Sequence, residues 1–191
     1  QALGRIWLMD LPSGTPRRLT AAGFVPMEFQ PAWSPDGRSI AFTTVDDANR
    51  GAIWRVAATG GTPERLTTEA GEYLNPAWTP DGREIVAARG SGATARAATL
   101  ARNSYFDLIR MPAAGGAETA VTDVVVGGGL AELRPTVGAN GRLFFARTKI
   151  FGPGDGLRPA SGVEVVSVRL DGTDRRVHAH VLASDDAAVS P

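Results

Sequence analysis

Short apolar bursts separated by turn residues run the length of the chain. In one stretch Gln30 to Trp33 is an apolar run, followed by Ser34-Pro-Asp-Gly37. Proline presets φ there, aspartate bonds locally, and glycine takes the positive φ, so a tight turn is predicted. Ser39-Ile-Ala-Phe-Thr43 then reads as a second strand, and Ala52-Ile-Trp-Arg-Val56, alternating inward and outward, as a third. Gly60-Gly61 turns the chain into a fourth strand, Glu64-Arg-Leu-Thr67. Four short strands joined by Gly, Pro and Asp turns predict an antiparallel meander.

The meander recurs. Pro31-Ala-Trp-Ser-Pro-Asp-Gly37 returns as Pro76-Ala-Trp-Thr-Pro-Asp-Gly82, then in altered form as Pro135-Thr-Val-Gly-Ala-Asn-Gly141, and Ala187-Ala-Val-Ser-Pro191 repeats its start. The second half recurs too. Ile6-Trp7, Gly14 and Arg18-Leu-Thr20 match Ile53-Trp54, Gly61 and Arg65-Leu-Thr67 at one offset of 47 residues. Leu108-Ile-Arg110, Gly115-Gly116 and Val121-Thr122 form the next copy. Val163 to Arg169, Asp171-Gly172 and Arg176-Val-His178 form the last. Successive opening prolines lie 45 and 59 residues apart, and the longer copies carry insertions at 89–104 and 148–162. A four-stranded unit of about 40–45 residues is a propeller blade. The fold class expected is therefore all-β: a propeller of four-stranded antiparallel blades, three full and one partial at each end. The blades fall at 1–29 (second half of a blade), 30–74, 75–132, 133–186 and 187–191 (start of a blade). A right-handed solenoid, the competing repeat architecture, usually has shorter periods and parallel strands.

One blade cannot bury both faces of its sheet, so neighbours must stack on it. Trp7, Trp33, Trp54 and Trp78 occupy repeat-equivalent positions and are expected to pack between blades. Closed propellers have about four to eight blades. The count here predicts a piece of a longer ring. In the alternative, residues 187–190 pair beside 5–20 and close a four-bladed ring. An open arc would expose sheet edges and invite self-association.

Composition removes several classes. The 191 residues are 43% hydrophobic and 21% charged, with 20 basic and 20 acidic residues. A balanced charge argues against nucleic-acid binding. Lys149 is the only lysine; arginine in its place, with abundant Ala and Gly, suggests a GC-rich bacterial genome. Without cysteine there is no disulfide or thiolate chemistry. No run approaches the roughly 18 apolar residues of a membrane span. The chain begins at Gln1 rather than Met, which leaves a removed targeting segment open.

The turn-and-strand signature, Ser34-Pro35-Asp36-Gly37 with Ile40-Ala41-Phe42 and Thr79-Pro80-Asp81-Gly82, resembles the TolB-type propeller repeat, a relative of WD repeats. Arg-Leu-Thr closes two of the units. The third unit departs from the signature with Ala139-Asn140-Gly141, which still suits a hairpin. Such repeats occur in the TolB periplasmic protein, in tricorn-like and prolyl-oligopeptidase-like peptidases, and ahead of a metal-dependent amidohydrolase barrel. Residues 162–176, with Asp185-Asp186 and the Ser190-Pro191 blade start, and residues 103–116, resemble the propeller portion of the amidohydrolases.

Chemistry candidates are few. His178-Ala-His180 has the i, i+2 spacing that puts two imidazoles on one face of a strand, as metal-binding barrels use. Yet His178 aligns with Thr20, Thr67 and Thr122 at the end of an outer strand, and no third histidine exists. No Gly-x-Ser-x-Gly elbow accompanies them. Asp46-Asp47 and Asp185-Asp186 read as solvated connections. Gly127-Gly-Gly129 and Gly152-Pro-Gly-Asp-Gly156 do not fit a phosphate loop. Arg89, Arg96 and Arg102 lack interleaved aromatics, so single-stranded nucleic acid is not favoured either. No catalytic, cofactor-binding or metal-ligating residue is expected, and no cofactor.

The meander puts the loops 45–50, 89–104 and 148–162 on the same side as the blade connections 68–73, 123–132 and 179–186. The opposite side carries the tight turns. Loops on a rigid scaffold are where binding concentrates. The elaborated side is expected to dock a protein partner or the protein's own C-terminal catalytic domain, and Gln30 and Asn75 are placed by geometry along the axis. What the resemblance implies is a non-catalytic scaffold or binding module, the N-terminal propeller part of a larger bacterial hydrolase of amidohydrolase type. A stand-alone TolB-like envelope scaffold and the propeller gate of a serine peptidase are the alternatives. It also implies a periplasmic or secreted location.

Overall fold

The structure is a computed structural model describing residues 1–46, 50–69, 71–90, 103–127, 134–149 and 162–182. Those residues form strands and turns with no helix. A two-stranded half-sheet of β1 (Trp7–Leu8) and β2 (Arg17–Arg18) comes first. The first four-stranded sheet is β3 (Met27–Trp33), β4 (Ser39–Asp46), β5 (Arg50–Ala57) and β6 (Glu64–Arg65). The second is β7 (Glu72–Trp78), β8 (Glu84–Gly90), β9 (Asn103–Pro112) and β10 (Thr119–Gly127). The third is β11 (Thr136–Val137), β12 (Arg142–Lys149), β13 (Gly162–Arg169) and β14 (Arg176–Leu182). Each pairs its strands antiparallel in chain order, the expected meander.

The turns form as their chemistry dictates. Asp36 Oδ1 accepts from Ser34 Oγ at 2.6 Å and from Arg38 N at 3.0 Å, and Ser34 Oγ accepts from Ser39 N. Thr79 and Asp81 repeat this arrangement. In the third sheet Asn140 Oδ1 takes the aspartate's part, accepting from Arg142 N, while Gly138 supplies no hydroxyl and the turn is one residue shorter. The hydroxyl and amide donors hold the Asp36 and Asp81 carboxyls below their usual value of 3.8. A lowered folded value contributes stability that is complete above pH 3.8 and is lost as pH falls through the lowered value. Asp81→Asn should therefore flatten the loss of stability in an acid melt followed by circular dichroism. An acid profile as steep as that of the unsubstituted chain would contradict the assignment.

The core lies between sheets rather than within any one of them. β4 and β8 are apolar at successive positions because both faces are covered: Ile40, Ala41, Phe42, Ile85, Val86, Ala87 and Ala88 are all fully buried. Alternate residues serve different layers. Ile40 and Phe42 pack with Ile6 and Leu19 of the half-sheet, whereas Ala41 packs with Ile85, Ala87 and Ile109. Val86 and Ala88 then face Leu143, Phe145 and Val166 of the third sheet. This is the stacking a propeller requires.

Backbone contacts reinforce each layer at the turn between strands three and four. Gly61 N donates to Leu19 O and Gly116 N to Leu66 O of the preceding sheet. Gly172 has φ 85°, and a Cβ there would sit 2.6 Å from Val121 O. Gly141 has φ 72° with nothing within 4 Å of such a Cβ. Gly172→Ala should cost about 2–3 kcal/mol, combining left-handed strain with a forced shift of the turn, whereas Gly141→Ala should cost about 1–2 kcal/mol from conformation alone. Urea midpoints of the two variants measure the difference, and equal midpoints would mean the Gly172 turn is not seated on Val121.

Two of the four tryptophans do not pack as expected. Trp78 is half-buried, lies against the layer between the first and second sheets, and donates Nε1–H to Ala32 O at 3.0 Å across it. Trp54 packs edge-on against Phe24 with ring centroids 4.9 Å apart and donates to Thr44 Oγ1. Trp33 and Trp7, by contrast, are 53% and 39% exposed. The reason is visible for Trp33. Its repeat counterpart Trp78 rests on the first strand of the preceding sheet, and the half-sheet before Trp33 has no first strand among the described residues.

Candidate binding surfaces and buried polar sites

The first strands of the first and second sheets carry a hydrogen-bonded chain through left-handed residues. Gln30 and Asn75, the residues expected along the axis, lie in these strands, and both have positive φ, 52° and 49°. Each marks the break in register between the first and second strands of its sheet. Left-handed non-glycine residues cost about 1–3 kcal/mol unless the surroundings hold them. Here Gln30 Oε1 accepts from Asn75 N at 2.8 Å and from Thr43 Oγ1 at 3.1 Å, and Gln1 Oε1 accepts from Gln30 N at 3.2 Å. One side-chain carbonyl thus passes to the backbone of the next sheet, linking the bulges in series.

A carboxylate that the sequence reading passed over holds the half-sheet to the first full sheet. Glu28 has a fully buried side chain. Its oxygens accept from Ile6 N at 2.9 Å and Thr20 Oγ1 at 2.6 Å, with Arg5 and Arg18 guanidinium nitrogens 3.5 Å away. Tyr73 stands at the equivalent place one repeat on. Its hydroxyl donates to Glu118 Oε1 at 2.6 Å, and Glu118 also pairs with Arg89 at 2.8 Å. Burial, and then the Glu118 carboxylate, push the Tyr73 phenol well above its ordinary value. A charged residue inside an apolar burst, Met27-Glu-Phe29, was the available signal.

The histidines are engaged separately. His178 Nε2 lies 2.7 Å from Ser167 Oγ, which is buried and itself accepts from Arg142 Nε at 3.0 Å. The Ser167 oxygen is thus engaged on both sides within the sheet, and the imidazole tautomer sets which group donates to the other. His180 Nδ1 lies 3.1 Å from the buried Glu164, which also pairs with Arg147 at 2.7 Å. Among the described residues no three His, Cys, Asp or Glu side chains converge as a metal site. No helix among them is long and apolar enough to cross a membrane.

Most of the elaborated face lies outside the described residues. This holds for Asp47, Arg96, Arg102, Asp185-Asp186, Gly128-Gly129, Gly152–Gly156 and the strand expected at 187–190. Arg89, which is described, is committed to Glu118 and Asp107. At the described end of that face Met27 and Val45 are cross-strand partners, 52% and 37% exposed, with Val25 also exposed.

Successive meanders whose cores lie only between them define a β-propeller architecture. Residues 2–149 match the TolB beta propeller domain family, and the chain belongs to it. Solved structures agree on the fold. A protein assigned as TolB from Agrobacterium tumefaciens superposes with a TM-score of 0.62 at 20% identity, covering 93% of this chain and 57% of that one. Kuenenia stuttgartiensis hydrazine synthase gives 0.64 at 16% identity, covering 95% of this chain and 28% of its own. The β-propeller domain of the trilobed protease from Pyrococcus furiosus gives 0.53 at 12% identity, covering 92% and 48%. At these identities the likeness concerns fold alone, and the chain spans less than two thirds of each of these structures. No curated protein sequence matches it.

Proposed function

We propose that this chain is a non-catalytic propeller module that docks a protein surface through its loop-bearing face, and that it forms the propeller part of a larger bacterial hydrolase of amidohydrolase type. The observation that carries the docking reading is the exposed apolar group of Val25, Met27 and Val45 at the rim of that face, on a rigid, bonded scaffold. The engagement of both histidines in bonds internal to the third sheet favours a scaffold over a reactive centre. Likeness to TolB, to hydrazine synthase and to a protease propeller is consistent with a module that serves different activities. The amidohydrolase parent rests on the resemblance of residues 103–116 and 162–176, and a periplasmic or secreted setting follows from the same reading.

Two experiments separate the parts of this reading. The coding sequence downstream should encode a strand ending His-x-His with later His and Asp; a stop codon after a few more blades would favour the stand-alone envelope scaffold instead. Met27→Ser with Val45→Ser should weaken association between this chain and the partner domain about tenfold, measured by titration of the two as separate proteins. Replacing 89–104 with a short turn should weaken it as well. Unaltered binding in both variants would remove the loop face from the interaction.

A further inference from the structure

The tight turn that opens the third sheet carries an amide where its counterparts carry a carboxylate. Asp36-Gly37 and Asp81-Gly82 are matched there by Asn140-Gly141. An asparagine amide ahead of glycine is open to attack by the glycine's own backbone nitrogen, because no side chain shields that nitrogen. The chain has four asparagines. Asn75 precedes Pro76, which has no N–H to become a nucleophile. Asn49 precedes Arg50 and Asn103 precedes Ser104, whose side chains crowd the attacking atom.

The turn both favours and restrains this reaction. Asn140 is exposed, and a Cβ at Gly141 would meet nothing within 4 Å, so nothing outside the turn covers the pair. Asn140 Oδ1 accepts from Arg142 N at 3.1 Å. In the earlier turns the equivalent oxygen also holds the hydroxyl of Ser34 or Thr79, and Gly138 supplies none. Donation from Arg142 N draws charge from the Asn140 carbonyl and stabilises its oxygen as that becomes negative. Against this, Gly141 N–H is spent on Gly138 O at 2.9 Å. Its proton must leave before the nitrogen attacks, so reaction waits for the turn to open.

We infer that Asn140 is this chain's site of spontaneous deamidation, restrained by the Gly141 N–H bond, and that the fold accepts the aspartate product as a third copy of its Asp-Gly turn. Solvent base removes the Gly141 amide proton, the nitrogen bonds to Cγ of Asn140, and ammonia leaves with a proton drawn from the solvent. The cyclic imide then takes up one water. Opening at Cγ restores a normal backbone with aspartate. Opening at the main-chain carbonyl leaves isoaspartate, with the chain running through the former side chain. One water enters, one ammonia leaves, and nothing is oxidised or reduced.

The surroundings suit aspartate. Asn140 lies on the wall of a cleft between the second and third sheets whose described lining holds four arginines and three acids, so one more carboxylate brings the signs level. In the first two sheets the carboxylate at this position is held below its usual value by the turn's own donors. Isoaspartate is different. It adds a methylene to the main chain between Val137 and Leu143, a pair that joins β11 to β12, and pulls the acceptor from Arg142 N. That product loosens the first strand of the third sheet. The chain's Asp-Gly turns are poor starting points for the same ring closure, since Asp36, Asp81 and Asp171 are held ionised and a carboxylate is a weak electrophile. None of this depends on whether the loop face binds a partner.

The test is incubation of the unsubstituted chain in mildly alkaline buffer made with heavy-oxygen water, followed by digestion and peptide mass mapping. The peptide carrying Asn140-Gly141 should exchange its amide nitrogen for one labelled oxygen ahead of the peptides carrying Asn49 and Asn103, and Asn75 should stay unaltered. In guanidinium chloride the rate at Asn140 should rise about tenfold or more, as expected where the reactive form is a minor open state. Labelling by an isoaspartyl methyltransferase measures the isoaspartate fraction. Asn140→Gln, with its longer side chain, should suppress the modification. Asn140→Asp should unfold no earlier in urea than the parent, whereas the purified isoaspartate form should unfold earlier. Prior modification at Asn49 or Asn103, or none at Asn140, would overturn the site. An equal rate with and without denaturant would overturn the restraint, and earlier unfolding of Asn140→Asp would overturn the accepted product.

Discussion

Glu28→Ala should destabilise the protein by about 3–5 kcal/mol, the range for removing one side of a buried charged cluster. The substitution strips the acceptors from Ile6 N and Thr20 Oγ1, leaves two guanidiniums facing an emptied site, and opens a cavity beside the first layer. Glu28→Gln keeps the shape and one carbonyl oxygen, and should cost about 1–2 kcal/mol. Urea unfolding of the two variants gives the ordering. Hydrogen exchange adds the location: the Ile6 amide and the Trp7–Arg18 pairing should lose protection in both, ahead of the third sheet. A Glu28→Ala chain with the parent's midpoint would show that the half-sheet is held by its apolar contacts alone.

Trp78→Ala should cost about 3 kcal/mol and Trp33→Ala less than about 1 kcal/mol, although the two residues occupy the same place in the repeat. Trp78 loses its packing on the layer between sheets and its bond to Ala32 O. Trp33 has little to lose at 53% exposure. Trp78→Phe separates the contributions, since it keeps most of the contact and removes only the indole donor; about 1 kcal/mol is expected. Equal denaturation midpoints for the two alanine variants would mean that the observed asymmetry of burial has no energetic content.

The architecture was legible because it is written several times. Pro-Asp-Gly turns and unbroken apolar strands such as Ile40-Ala-Phe42 have only one common explanation, a sheet covered on both faces. The part that misled was the tryptophans. Repeat equivalence treats Trp33 as another Trp78, but the neighbour that each copy meets differs, and partner geometry is absent from the repeat itself. Glu28 was hidden for the same reason. Its place in the repeat is taken by Tyr73, so no motif marks it, and its partners Ile6 and Thr20 come from the preceding unit. Asn75 and Gln30 were placed from topology because they precede the recurring proline; their left-handed backbone was not foreseeable, since residues before proline usually stay extended.

The way β8 divides its side chains has a consequence for how such a protein can be altered over generations. Ile85 and Val86 are chain neighbours but belong to separate packed interfaces. Substitutions at these adjacent residues should therefore be inherited as nearly independent changes, while Ile85 and Ala41, far apart in sequence, must accommodate one another. A gene duplication that inserts one whole repeat brings its own pair of faces and leaves both older seams as they were, so ring size can drift where the contents of a single strand cannot.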